Sequence, residues 1–159
     1  LMGSLKDFSI EEAVSIVSER NEEWLPVMPL DICIQPESAP GFNPSYPEAL
    51  YIVSNFGKLF DVAEHDLSSP QKDGLGIPYW RVYGKKISCG KLVAIKFAEY
   101  EERFLPYIID GYVTVGHFDG NYGNNRIDNL YWILTARGSG MANLLEHEFP
   151  SVEIKKYRE

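Results

Sequence analysis

The stretch Val115–Trp132, VGHFDGNYGNNRIDNLYW, sets one histidine, two aspartates, one arginine and four asparagines between two β-prone apolar flanks. Asn and Asp side chains hydrogen-bond their own backbone and tolerate the left-handed region, so the middle of the stretch reads as a long turn. GYVTVGHF (Gly111–Phe118) and NLYWILT (Asn129–Thr135) read as the strands it joins. MANLLEHEF (Met141–Phe149) follows as a short closing helix with Met141, Leu144, Leu145 and Phe149 inward. The end of the chain thus reads strand, long loop, strand, helix. His117 ends the first strand, and imidazole is the side chain that titrates near neutrality. It is either a proton acceptor or a strand-end histidine bonded to a loop carbonyl.

The 159 residues suit one compact domain or one domain with an appendage, and 45% apolar residues supply a core. No apolar run approaches the roughly 18 to 20 residues of a membrane span, so a soluble protein is expected, with no membrane partner. Cys33 and Cys89 lack metal-ligand spacing and are expected as free buried thiols of a cytoplasmic protein. The net charge of −8 argues at first against a polyanionic partner. The charge is uneven, however. Residues 1–48 carry nine acids and two bases, whereas residues 49–159 carry fourteen acids and thirteen bases. Tyr79–Lys96 holds five bases and no acid. Arg81, Lys85, Lys86, Lys91 and Lys96, interleaved with Tyr79, Trp80 and Tyr83, have the composition of a phosphate-contacting face.

Upstream, Ser9 with Glu12 three residues on is a capping box, and Ile10, Ala13, Val14 and Val17 share a face, predicting a helix over about residues 10–20. Six prolines from Pro26 to Pro47 predict an irregular loop. ALYIVSN and KLFDVAEH predict a hairpin, and YWRVYGKKISC a second one turning at Gly84-Lys85. KLVAIKFAEYEERF predicts a helix with Val93, Phe97, Tyr100 and Phe104 on one stripe. Four segments result: an acidic helix with a proline-rich tract (1–48), a modular hairpin segment (49–88), a core (89–150) and a charged tail (151–159).

With these blocks in order, VGHFDGNYGNNRIDNLYW resembles the core of the HNH endonucleases of phage and mobile introns. EEW (Glu22–Trp24) and YIVSNFGKLF (Tyr51–Phe60) resemble the small modular DNA-binding segment that precedes the nuclease in homing endonucleases, and CGKLVAIKF (Cys89–Phe97) is similar to the helix of that family. The resemblance covers about residues 22 to 145. It implies an α+β fold with a ββα-metal core, double-stranded DNA as partner, and phosphodiester hydrolysis assisted by a divalent cation, Mg or Mn. It places His117 as general base and Asn129 as the amide that braces the site. Ser54, Asn55 and Arg126 join the basic strip as DNA contacts.

The same resemblance marks departures. The metal ligand just before the base is Gly116, the helix ligand falls on Gly138 without a gap, and the histidine of the upstream helix is Gly90. A gapped match puts Asn143 at the helix ligand and His147 one turn further. The expectation is a DNA-binding protein of phage or mobile-element type with a degenerate metal site and weak or absent cleavage, located in the host cytoplasm if phage-encoded. The alternative is a non-enzymatic inhibitor or regulator that keeps the scaffold and offers its acidic N-terminal region to a host protein.

Overall fold

Ser9 starts helix α1 (Ile10–Val17) through a capping box, its Oγ accepting from the Glu12 N–H while the Glu12 carboxylate accepts from the Ser9 N–H. In this computed structural model, which describes residues 4–156, α1 stops at Val17, where Ser18 turns extended. The proline-rich tract is less irregular than its composition predicts. β1 (Trp24–Val27) pairs antiparallel with β2 (Tyr51–Ser54), and Pro26 lies opposite Ile52. β1 is the edge of its sheet, where a missing N–H need not break the ladder. β3 (Leu59–Asp61) and β4 (Asp66–Leu67) complete the order β1-β2-β3-β4.

The second sheet holds β5 (Gln71–Lys72), β6 (Pro78–Val82) and β7 (Lys85–Ser88). Its hairpin turns at Tyr83-Gly84, one residue earlier than predicted, with φ of 49° and 77° as a primed turn requires. A tyrosine is held in that left-handed conformation by its far end. Its hydroxyl donates to the Val27 carbonyl at 2.7 Å and accepts from the Leu50 N–H at 3.0 Å.

Helix α2 (Cys89–Phe97) is shorter than its apolar stripe predicts, because Ala98 is extended. The Tyr100 hydroxyl folds back to the Ile95 carbonyl at 2.7 Å. Phe104 then enters the core from a single 3-10 turn ahead of α3 (Leu105–Ile109). In the third sheet β8 (Val113–His117) pairs antiparallel with β9 (Leu130–Leu134), α4 (Ala142–Glu148) crosses over, and β10 (Ile154–Lys155) returns parallel to β9. The expected charged tail therefore contributes a strand, with Ile154 opposite Trp132.

Leu145 and Phe149 of the closing segment are buried as predicted, but Leu144 is 44% exposed. Its neighbour Leu145 takes the inward face, and adjacent helical residues point about 100° apart. Phe149 stacks edge-on against Phe104 with centroids 5.1 Å apart, and Phe104 against Trp132 at 5.7 Å. One apolar cluster runs from Val27 and Val53 through Leu92 and Val93 to Leu134 and Phe149. The chain is α+β. Cys89 is buried as expected, its thiol pushed up to about 12 by burial, whereas Cys33 is exposed in a left-handed turn after Ile32. Among the described residues no helix is long and apolar enough to cross a membrane.

Candidate nucleic-acid interface

Directly opposed residues of an antiparallel pair share a face. His117 therefore lies with Leu130, Val115, Trp132, Val113 and Leu134 on the core side of β8–β9, while Gly116 and Tyr131 lie on the other side. His117 Nε2 is 2.7 Å from Asn125 Oδ1. The same amide donates through Nδ2 to the Tyr122 carbonyl at 3.1 Å. A carbonyl only accepts, so the amide can face His117 only with its oxygen. The imidazole must then carry its proton on Nε2, which leaves a lone pair on Nδ1 in the neutral ring. Nδ1 is buried and has no hydrogen-bond partner among the described residues.

The loop after His117 is tied from within. Asn129 Nδ2 donates to Asp119 Oδ1 and to the Asn124 carbonyl, both at 2.9 Å, and its Oδ1 accepts from the Asp119 N–H at 3.2 Å. Asn124 Nδ2 and the Asn121 N–H also donate to the Asp119 carboxylate, at 2.8 Å each. Donation from Asn124, Asn121 and Asn129 holds that carboxyl below its usual range. Asn129 thus anchors the loop that presents Asn125 to the histidine. Sequence reasoning assigned Asn125 only to loop architecture, and its link to His117 is invisible until the strand register is known.

Helix α2, not α4, lies against the imidazole. A Cβ on Gly90 would come within 2.7 Å of Val115 Cγ2, 2.9 Å of Asn125 Oδ1 and 3.5 Å of His117 Nε2. Glycine here lets the first turn of α2 approach β8, and a histidine at that position has no room. Lys91 follows. It lines, with Lys85, Lys86, Ser88, Tyr79, Tyr122, Asn125 and His117, one cavity of about 430 Å³. Burial pushes the Lys91 ammonium below its usual pKa, and Lys85 adds to the effect. Three cations and the histidine therefore face one space. Among the described residues Asp73 is its one carboxylate, held below the usual range by the Ile77 and Leu75 N–H groups.

The donor set does not fit a divalent cation. A side chain on Gly116 would collide with the Tyr131 ring, on the face away from His117, and one on Gly138 would collide with the Tyr112 carbonyl oxygen. Asn143 and His147 are exposed on α4 and do not line the cavity that His117 lines. The Asp119 oxygens are engaged by three asparagines. Among the described residues no group of three His, Cys, Asp or Glu is placed to hold a metal.

The remaining candidates divide. Arg81 is exposed opposite Lys86 on the hairpin, and Lys86 lies 4.4 Å over the Tyr79 ring. Lys96 is tied to Asp31 at 2.8 Å, which removes its charge from the strip. Ser54 is fully buried, its Oγ accepting from the Phe56 and Lys58 N–H groups, so it closes a turn. Asn55 binds Glu23 through backbone and side chain, and its carbonyl accepts from the Ile127 N–H. Arg126 stacks on Phe56 at 3.6 Å. Asn55 and Arg126 dock the modular segment onto the histidine loop.

No family model matches the chain, and no curated protein matches it. Among solved structures, that of the HNH homing endonuclease I-HmuI, described for DNA binding and cleavage, is similar at 24% identity and a TM-score of 0.46. The match covers 79% of this chain and 59% of that one, so the chain spans about three fifths of the protein it resembles.

Proposed function

We propose that the chain is an HNH-endonuclease-like protein of phage or mobile-element type that binds double-stranded DNA and cleaves it weakly or not at all. The observation that carries this reading is the cavity in which Lys85, Lys86 and Lys91 converge beside His117. Phosphate contacts supply most of the affinity of such proteins, and these cations offer the charge that a backbone approaching the histidine would require. Cleavage would need His117 as base, yet its free nitrogen is covered and, among the described residues, no fitting ligand set stands beside it.

The test is a gel shift on duplex DNA across salt concentrations, run with plasmid nicking in Mg²⁺ or Mn²⁺. Arg81, Lys85 and Lys86 predict a log–log salt slope of about −3, near −0.9 per phosphate. Nicking by the wild type that His117→Ala abolishes would show a working nuclease. Absence of duplex binding at low salt would favour the second reading, a regulator that meets a host protein through its acidic segment. That reading is supported by Glu11 and Glu12, which stand exposed on α1 while Lys58 gathers Glu19 and Glu22.

A further inference from the structure

We propose that the cavity beside His117 receives a single unpaired nucleotide, its phosphate on Lys91 and Lys85 and its base against Tyr122. The inference rests on the DNA-binding reading above and specifies what enters the site.

Three observations carry it. The first is Lys91, whose half-buried side chain lines the cavity and whose Nζ makes no ion pair and no hydrogen bond among the described residues. A partly desolvated ammonium with no counter-ion favours an anion beside it, and the neighbouring Lys85 charge adds to the repulsion that an anion would relieve. Lys85 and Lys86 come from β7, and the other titratable groups lining the cavity are Tyr79 on β6, Asp73, Tyr122 and His117. Among the described residues Asp73 is a single carboxylate against three ammoniums, so the space stays net cationic and suits an anion.

The second observation is Tyr122. It is 52% exposed at the tip of the asparagine-rich loop, lines the same cavity, and meets the His117 ring edge-on with centroids 5.6 Å apart. An aromatic ring left open to solvent beside a cationic cavity is what a stacked base uses, and every base offers a π-face. The loop beneath it is tied by Asn129 and Asp119, so the ring is presented on a held support.

The third observation is shape. The phosphates of a regular duplex stand on a convex surface, whereas Lys91 lies inside a space of about 430 Å³, within the range of sites that enclose a small molecule. A nucleotide reaches such a space by leaving its stack, which costs least in a single strand or at a mismatch.

The experiment uses the full chain and fluorescence anisotropy with three probes in EDTA: a single-stranded oligonucleotide, the matched duplex, and the duplex with one mismatched pair. Single-stranded and mismatched probes are expected to bind at least tenfold more tightly than the matched duplex. Tyr122→Ala should weaken the first two by about tenfold and leave the matched duplex unchanged. Lys91→Met should weaken them by a similar factor while raising the melting temperature of the free protein, because an unpaired ammonium has been replaced by an apolar side chain. Equal affinity for all three probes, or no effect of Tyr122→Ala, overturns the inference and leaves duplex binding standing. Failure to bind any probe overturns both.

Discussion

Asn125 Oδ1 and His117 Nε2 lie 2.7 Å apart, and the Tyr122 carbonyl fixes which end of the amide the histidine meets. The tautomer of His117 is therefore set by a residue eight positions along the chain. Nitrogen-15 spectra of the imidazole should show the Nε2-protonated form. Asn125→Ala should abolish that preference and cost about 1–3 kcal/mol, as expected when a buried polar partner is left without its mate. An unchanged tautomer in the variant would show that something else holds the ring.

Gly90 sets the distance between α2 and β8. Gly90→Ala gains about 0.5–1 kcal/mol of helix preference, but its methyl would press on Val115 and Asn125. Overpacking of this kind costs about 1–3 kcal/mol, so thermal melts should show net destabilisation. A stabilised variant would mean that α2 can step back freely.

Installing at Gly116 and Gly138 the ligands that the sequence resemblance implies, one at a time, should not create a metal site. Gly116→Asp sends its carboxylate into the Tyr131 ring on the opposite face from His117, and Gly138→Asn drives a side chain into the Tyr112 carbonyl. Neither variant should gain nicking in Mn²⁺, and Gly138→Asn should melt lower than wild type. Mn²⁺-dependent nicking by Gly116→Asp would show that the strand can turn over to present the residue.

The Asp119 carboxyl is held below its usual pKa of 3.8 by Asn124, Asn121 and Asn129. A depressed carboxyl contributes stability that is present above its unfolded value and lost as the pH falls through its folded value. Protection of the loop amides should therefore fall as the pH drops below about 3.8, and Asp119→Asn should flatten that acid limb. An identical acid limb in the variant would assign the effect to other carboxyls.

Much of this arrangement was legible in the chain, for identifiable reasons. The capping box of Ser9 and Glu12 is a local signal and gives α1 its start. The alternation in Val113–His117 and the apolar run Leu130–Leu134 give the hairpin. What escaped depends on contacts far apart in sequence. Pro26 joins a strand because it lies on an edge, Lys96 leaves the basic strip because Asp31 lies 65 positions away, and Ile154 becomes a strand only beside Trp132. The glycines are the sharpest case. Gly90, Gly116 and Gly138 read alike as missing side chains, yet one admits a helix, one yields to a tyrosine ring and one clears a backbone carbonyl.

Asn55 joins three segments with backbone and amide groups alone, holding Glu23 on one side and Ile127 on the other. With such a rivet, the modular hairpins and the histidine loop should melt as one cooperative unit. Cutting the chain before Cys89 to excise a minimal core would strip the Ile127 N–H of its acceptor and expose the face that Phe56 covers for Arg126. A pull on the N-terminal segment should therefore be transmitted through Asn55 to the asparagine-rich loop.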